Sequence, residues 1–205
     1  MNKKENFVIT INRELGTGGR TVGRKLSEKL GVNYYDKAIL QGLTEKFGLS
    51  AEKIERIKAD RKSWWQEMQD TYRSLLRSND VAEPSVAEIF EAERQILENI
   101  AAEGSCVVAG RTAFLIFREW KNRLNIFIQA TTEHRIERLM GKGRSFQDAF
   151  DTIGMVDEDR EAYLKKYGDR SRYDTRNYDL VINMDGLTED DAVEIILDYV
   201  NRSSK

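Results

Sequence analysis

The run Phe7-Val8-Ile9-Thr10-Ile11-Asn12-Arg13-Glu14-Leu15-Gly16-Thr17-Gly18-Gly19-Arg20-Thr21-Val22-Gly23 constrains this chain more than any other stretch. A short β-branched segment enters a glycine cluster, and an amphipathic helical pattern follows at once. Three glycines within four residues let the backbone turn tightly and aim several N–H groups into one concavity, to which the following helix adds its positive N-terminal end. The run reads as a strand, a phosphate-binding loop and a helix. The competing reading is a glycine-rich turn that holds no ligand.

The match to the pattern G-x-x-x-x-G-K-[ST] fails at one residue. Gly19 stands where lysine belongs, and the nearest loop cation is Arg20, with Thr21 opening the helix. A guanidinium there still suits phosphate oxygens, which it binds in a planar, bidentate manner. The expectation is that residues 16–21 hold phosphate and that Arg20 replaces the missing lysine.

With 205 residues, 33 basic and 35 acidic side chains and a net charge of -2, the chain suits one domain with an elaboration, spanning residues 1–205. The balanced charge excludes a protein that coats nucleic acid or a membrane surface. No apolar run approaches the roughly 20 residues that cross a bilayer, so a cytoplasmic location is expected. Cys106 is the single cysteine, which rules out an intrachain disulfide and a thiolate cluster; its setting, Ser-Cys-Val-Val-Ala, marks a core strand. His134, the single histidine, sits in the first turn of an expected helix and is read as exposed and incidental.

Five compact apolar segments have the look of buried parallel strands: residues 7–12, 32–35, 105–109, 124–129 and 180–183. Helical stripes lie between most of them, formed by Val22, Leu26 and Leu30 in one case and by Ala192, Ile195, Ile196 and Tyr199 in another. Alternation of this kind predicts an α/β fold with three layers, a parallel five-stranded sheet covered on both faces. Residues 37–103 break the rhythm. They are long, charged and helical in composition, and are read as an inserted set of helices at 38–47, 51–62, 64–77 and 86–103, with a loop at 78–85 around Pro84. The adjacent Trp64 and Trp65 cannot share a helix face, so one is expected at a cleft or at a homodimer contact. The last five residues are expected to fray.

The second half is rich in arginine, with Arg135, Arg138, Arg144, Arg160, Arg170, Arg172 and Arg176. Arg135 and Arg138 share a helix face and can enter a cleft together, unless Glu133 and Glu137 neutralise them locally. Arg160 falls beside the apolar stripe of Val156, Leu164 and Tyr167, where a charge requires a partner, either a carboxylate such as Asp157 or a ligand phosphate. Gly141, Gly143, Gly154 and Gly168 punctuate this region and give residues 141–172 the character of a flexible lid. In an open parallel sheet, ligands gather beyond the carboxyl ends of the strands. The glycine loop, Asp36 and Arg111 all fall at that edge.

These residues resemble the cytidylate kinase-like proteins of the P-loop nucleoside monophosphate kinase superfamily. The resemblance rests on residues 12–21 at the loop, Tyr34-Tyr35-Asp36-Lys37, Ala109-Gly110-Arg111 and Asn177-Tyr178-Asp179-Leu180. It implies phosphoryl transfer from ATP to a nucleoside monophosphate, cytidylate or deoxycytidylate first among them, with Mg2+ bridging the donor phosphates. Under it, Gly16, Thr17, Gly18, Gly19, Arg20 and Thr21 hold the donor phosphates, with Thr21 in the metal shell. Asp36 and Arg111 belong to the acceptor site. Arg20, Arg135, Arg138 and Arg160 surround the transferred group, Arg160 from the lid. The chain departs from the family pattern at Gly19 and at Ala109, where the related kinases carry Asp. Two other readings stay open: a kinase of a different small acceptor, and a nucleotide-binding module with little turnover.

Overall fold

The computed structural model describes residues 1–59, 83–110, 112–167 and 171–203. The expected helix over 64–77, Trp64 and Trp65, and Arg111, Gly168 and Arg170 lie outside the described residues.

Five strands form one parallel sheet: β1 (Val8–Arg13), β2 (Asn33–Tyr35), β3 (Cys106–Ala109), β4 (Arg123–Gln129) and β5 (Leu180–Asn183), in the spatial order β2-β3-β1-β4-β5. β1 is central. Val8 aligns with Cys106 on one side and Arg123 on the other, and the ladder runs on to Arg13 opposite Ile128. The strands read as continuous apolar runs because both faces are covered. On one face Ile9, Ile11, Val107 and Ile126 meet Val22 and Leu26 of α1 (Gly19–Leu30) and Ala192 and Ile196 of the C-terminal helix. On the other, Val8, Cys106 and Val108 meet Ile39, Leu97 and Phe117. The period of two along each strand sorts the core into these two layers.

The inserted region supplies α2 (Lys37–Phe47), α3 (Ala51–Lys58) and α4 (Val86–Glu103). Ser85 and Glu88 form a reciprocal capping box that sets the start of α4, and Ser50 caps α3 by accepting from the Lys53 amide at 3.2 Å. Leu43, Ile54, Ile89 and Ala92 give this insert a small core of its own. α3 ends at Lys58 with Ala59 as its cap, and residues 60–62 of the expected helix lie outside the described residues.

Beyond β3 come the short α5 (Ala113–Ile116), then α6 (Thr132–Met140) and α7 (Phe146–Tyr167) after β4, and α8 (Glu189–Ser203) after β5. Ile136 and Leu139 of α6 pack on Ala149 and Ile153 of α7, with Leu15 of the glycine loop between them. The region read as glycine-interrupted contains one unbroken 22-residue helix, with Gly154 inside it. Gly141 and Gly143 lie in the turn before it. α8 continues to Ser203, past the start of the tail expected to fray, and Ile195, placed in its apolar stripe by the sequence, is exposed. Among the described residues no helix is long and apolar enough to cross a membrane.

α7 is tied to the insert by a buried polar triad. Lys58 Nζ lies 3.1 and 3.2 Å from the two carboxylate oxygens of Glu93, and Tyr163 donates its hydroxyl hydrogen to Glu93 Oε2 at 3.1 Å. The ammonium also sits 4.3 Å from the Tyr163 ring centroid. Glu93 is fully buried and Lys58 nearly so, and burial beside Glu93 pushes the Tyr163 phenol up. Removing one partner strands the other's charge, whereas removing both leaves only a packing problem. Glu93→Ala is therefore expected to lower the unfolding free energy by about 3–5 kcal/mol in urea titrations, and Lys58→Met/Glu93→Met to recover most of it.

Cys106 is buried within β3, and burial pushes its thiol up to about 12. In the unfolded chain the thiol ionises near 8.5. The unfolded state therefore loses its proton first, and this group's contribution to stability is complete below about pH 8.5 and falls as pH rises toward 12. Cys106→Ala is expected to flatten that decline in alkaline unfolding curves, and a thiol reagent is expected to label Cys106 only after unfolding.

Candidate functional site

The loop from Glu14 to Gly18 turns back over the end of β1 because its glycines accept geometry and proximity that side chains resist. Gly16 and Gly18 have φ of 92° and 83°. A Cβ on Gly16 would lie 2.9 Å from both the Cβ and the carbonyl oxygen of Arg135, so the loop rests directly on α6. Thr17 donates its hydroxyl hydrogen to the Glu14 carbonyl at 3.0 Å, closing the turn from inside. Thr21 stands in the first turn of α1, its amide bonded to the Gly18 carbonyl at 2.8 Å.

Immediately after β2, the Asp36 carboxylate collects two arginines from the first motif. Arg20 Nε lies 2.6 Å from Oδ2 and Arg13 Nη2 lies 3.4 Å from Oδ1. Asp36 and Arg13 are buried, whereas the Arg20 side chain is 60 % exposed. This places Arg20 on the Asp36 side of the loop, at the cleft where the sheet ends.

A second carboxylate, Asp157 of α7, gathers the arginines of the second half. It meets Arg135, Arg160 at 3.3 Å and Arg172 at 3.4 Å, and accepts from the Leu15 amide at 3.2 Å. Arg135 also donates to the Leu15 carbonyl at 2.7 Å and reaches Glu14 at 3.3 Å. Arg172, fully buried, donates to the Arg13 carbonyl at 2.5 Å and packs between Phe127 and Tyr173. Arg135 thus supports the loop from behind. Arg138 pairs with Glu189 of α8, its guanidinium against Gly18. Neither arginine is neutralised by Glu133 or Glu137; their partners lie far off in the sequence.

Of these groups Arg13, Arg20, Asp36 and Arg160 border a cleft of about 400 Å³ beyond the C-terminal edge of the sheet. Asn12, Arg13, Arg20, Asp36 and Gly110 form its floor and near wall, Lys58 and Glu55 of α3 one side, and Asp159, Arg160 and Tyr163 of α7 the other. Desolvation and the charges of Arg13 and Arg172 pull the Arg160 guanidinium down to about 9, which leaves it protonated at neutral pH. Burial raises the Glu14 carboxyl against the pull of Arg135. Burial also raises the Tyr34 phenol, with the Asp36 charge beside it.

The structure therefore brings residues 16–21, Asp36, Arg20 and Arg160 to one edge, with Arg135 and Arg138 as the loop's supports. Arg111 lies outside the described residues, though Gly110 before it lines the cleft. Sequence reasoning named Asp157 only as a partner for Arg160 and gave no role to Arg13, Arg172 or Glu14. Arg13 carried one signal, its position as the last residue of a buried strand, where a charge needs a reason.

A central β1 that opens through a glycine loop into α1, within a parallel sheet of order β2-β3-β1-β4-β5, defines a P-loop kinase fold. The chain belongs to the cytidylate kinase-like family, which it matches across residues 8–186. It is 27% identical over 183 residues to a cytidylate kinase of Pyrococcus horikoshii, covering 88% of this chain and 81% of that one. Among solved structures it superposes on an uncharacterized protein from Eubacterium ventriosum with a TM-score of 0.72 at 23% identity, over 97% of this chain and 99% of that chain. A shikimate kinase from Bacteroides thetaiotaomicron gives a TM-score of 0.54 at 15% identity, over 95% and 98%.

Asp157 holds the loop by its amide as well as by its arginines, so its loss acts on both. In Asp157→Asn the neutral amide faces guanidiniums that burial makes costly to leave uncompensated. The variant is expected to melt well below the parent and to show faster hydrogen exchange at the Leu15 amide. Unchanged exchange there would show that the arginines alone hold the loop.

Proposed function

We propose that this protein transfers the γ-phosphoryl group of ATP to a nucleoside monophosphate, with cytidylate and deoxycytidylate the first acceptors to test. The observation that supports this most is the meeting of Arg13, Asp36, Arg160 and Arg20, the last from the first turn of α1, at one cleft, in a chain of the cytidylate kinase-like family. In the reaction an acceptor phosphate oxygen attacks the γ-phosphorus, the bond from that phosphorus to the β–γ bridging oxygen breaks, and ADP leaves with the electron pair. The protein's contribution to such a step is position and countercharge.

The loop amides of residues 16–21 cradle the donor phosphates at the N-terminus of α1. Asp36 and Arg111 take the acceptor side. Arg20, paired with Asp36 in the open cleft, is free to exchange that carboxylate for phosphate oxygens because most of its side chain faces solvent. Arg135 and Arg138 fix the loop from below. Arg160, already on the cleft wall from α7, faces the transferring group and supplies countercharge to it.

The donor set suits magnesium held mostly by substrate. Among the described residues no three His, Cys, Asp or Glu side chains gather into a metal cage, and Mg2+ characteristically takes phosphates, waters and one or two protein oxygens. The Thr21 hydroxyl, one turn into α1, is the protein oxygen best placed to join it. When bound, the ion would supply countercharge to the donor phosphates.

The test is ATP consumption over all common ribo- and deoxyribonucleoside monophosphates, with shikimate as a non-nucleotide acceptor and an acceptor-free control. Turnover is expected with a pyrimidine monophosphate well above background hydrolysis. In the same assay Arg160→Lys, which keeps the charge and loses the planar fork, is expected to cut turnover steeply with little change in ATP affinity. Saturable ATP binding with no product from any nucleotide would replace this reading with a sensing module, and transfer only to a non-nucleotide would replace it with another small-molecule kinase.

A further inference from the structure

The loop lacks a lysine at position 19, and the structure shows what stands in the way of one. A Cβ on Gly19 would fall 2.9 Å from the Cβ of Arg13 and 3.0 Å from its Cγ. Carbon atoms do not approach that closely. A side chain at position 19 and the Arg13 side chain as placed are therefore mutually exclusive. Past Gly19, Arg13 runs over Gly110, where an added Cβ would lie 1.7 Å from Nη1 and where φ is +77°, open to glycine on both counts. Arg13 is threaded between two glycines that leave room for it, and its guanidinium ends on the cleft wall beside Asp36.

We propose that Arg13 is a catalytic residue that supplies the loop's missing cation, contacting the γ-phosphate of bound ATP and the same group during transfer. The proposal rests on the reading of the protein as an ATP-dependent phosphotransferase and assigns that reaction a residue from β1 instead of the loop. Three features suit Arg13 to the task. It extends from the central strand of the sheet, so its origin is fixed more firmly than a loop residue's. Its own carbonyl is held by the buried Arg172 at 2.5 Å. Asp36 keeps the guanidinium aimed and compensated before substrate arrives, as preorganised electrostatic catalysis requires. Arg20 enters the same cleft from the exposed side, while Arg13 lies beneath, against the turn that opens α1.

The steric exclusion yields a swap. Calorimetric titration of Mg-ATP, without any acceptor, is carried out on the full chain, on Arg13→Ala, on Gly19→Lys, on Gly19→Ala and on Arg13→Ala/Gly19→Lys, with thermal melting as the folding control. Arg13→Ala is expected to weaken ATP binding at least tenfold. Gly19→Lys alone also weakens it, because the new side chain collides with Arg13. Combined with Arg13→Ala, the lysine has room, and affinity recovers most of the loss. Gly19→Ala displaces Arg13 without removing it and keeps the proposal testable should Arg13→Ala not fold; it too loses affinity. ATP affinity unchanged in Arg13→Ala or in Gly19→Ala, or a double variant that binds no better than Arg13→Ala, overturns the role of Arg13. A parent chain that binds ATP through Arg13 but phosphorylates no nucleotide overturns the functional reading alone, and one that does not bind ATP overturns both.

Discussion

Asp157 is the point through which the phosphate loop, α6, α7 and the segment after α7 are held to one another. Its carboxylate meets Arg135, Arg160 and Arg172 and accepts the Leu15 amide. Guanidiniums brought this close repel unless an anion stands between them, and burial magnifies the effect because water no longer screens it. Placing the anion on α7 makes the helix part of the loop's support. The geometry of residues 14–18 thus depends on a carboxylate more than 130 positions away in sequence.

Charge is distributed at this edge in two tiers. Asp157 compensates the arginines that build the loop together with Arg160 on the cleft wall, and Asp36 compensates Arg13 and Arg20. The arrangement also explains why buried arginine occurs here at all: Arg172 is fully enclosed, yet it joins the Arg13 carbonyl, Asp157 and two aromatic rings in one contact set. The Lys58–Glu93–Tyr163 triad does the same service on the far side of the cleft, linking the insert to α7. The α7 wall of the cleft is therefore tied both to the loop and to the α3 wall opposite.

Much of the architecture was legible in the sequence. The five strand segments coincide with β1 to β5 within a residue or two, because strands buried on both faces must be continuously apolar. The start of α4 at Val86, read after the loop around Pro84, coincides with the observed start, which the Ser85–Glu88 capping box sets. The continuity of α7 was not legible. Glycines at 141, 143 and 154 read as interruptions, yet Gly154 is tolerated inside α7, whose apolar contacts from Ala149 and Ile153 to Leu164 hold the helix on either side of it. The site was legible as an edge and a set of residue types, and not as a set of pairings. Local spacing offered Glu133 and Glu137 to Arg135 and Arg138, whereas the folded chain uses Glu14, Asp157 and Glu189.

By itself the sequence determined the strand and helix register, the glycine loop at the mouth of the central strand and the crowding of arginine in the second half, since hydrophobic period, glycine freedom and charge are properties of neighbouring residues. Only the tertiary structure decided which carboxylate answers which arginine, and that the space at position 19 belongs to Arg13. Those outcomes depend on distances between segments that the chain brings together only when the parallel sheet closes its two apolar layers.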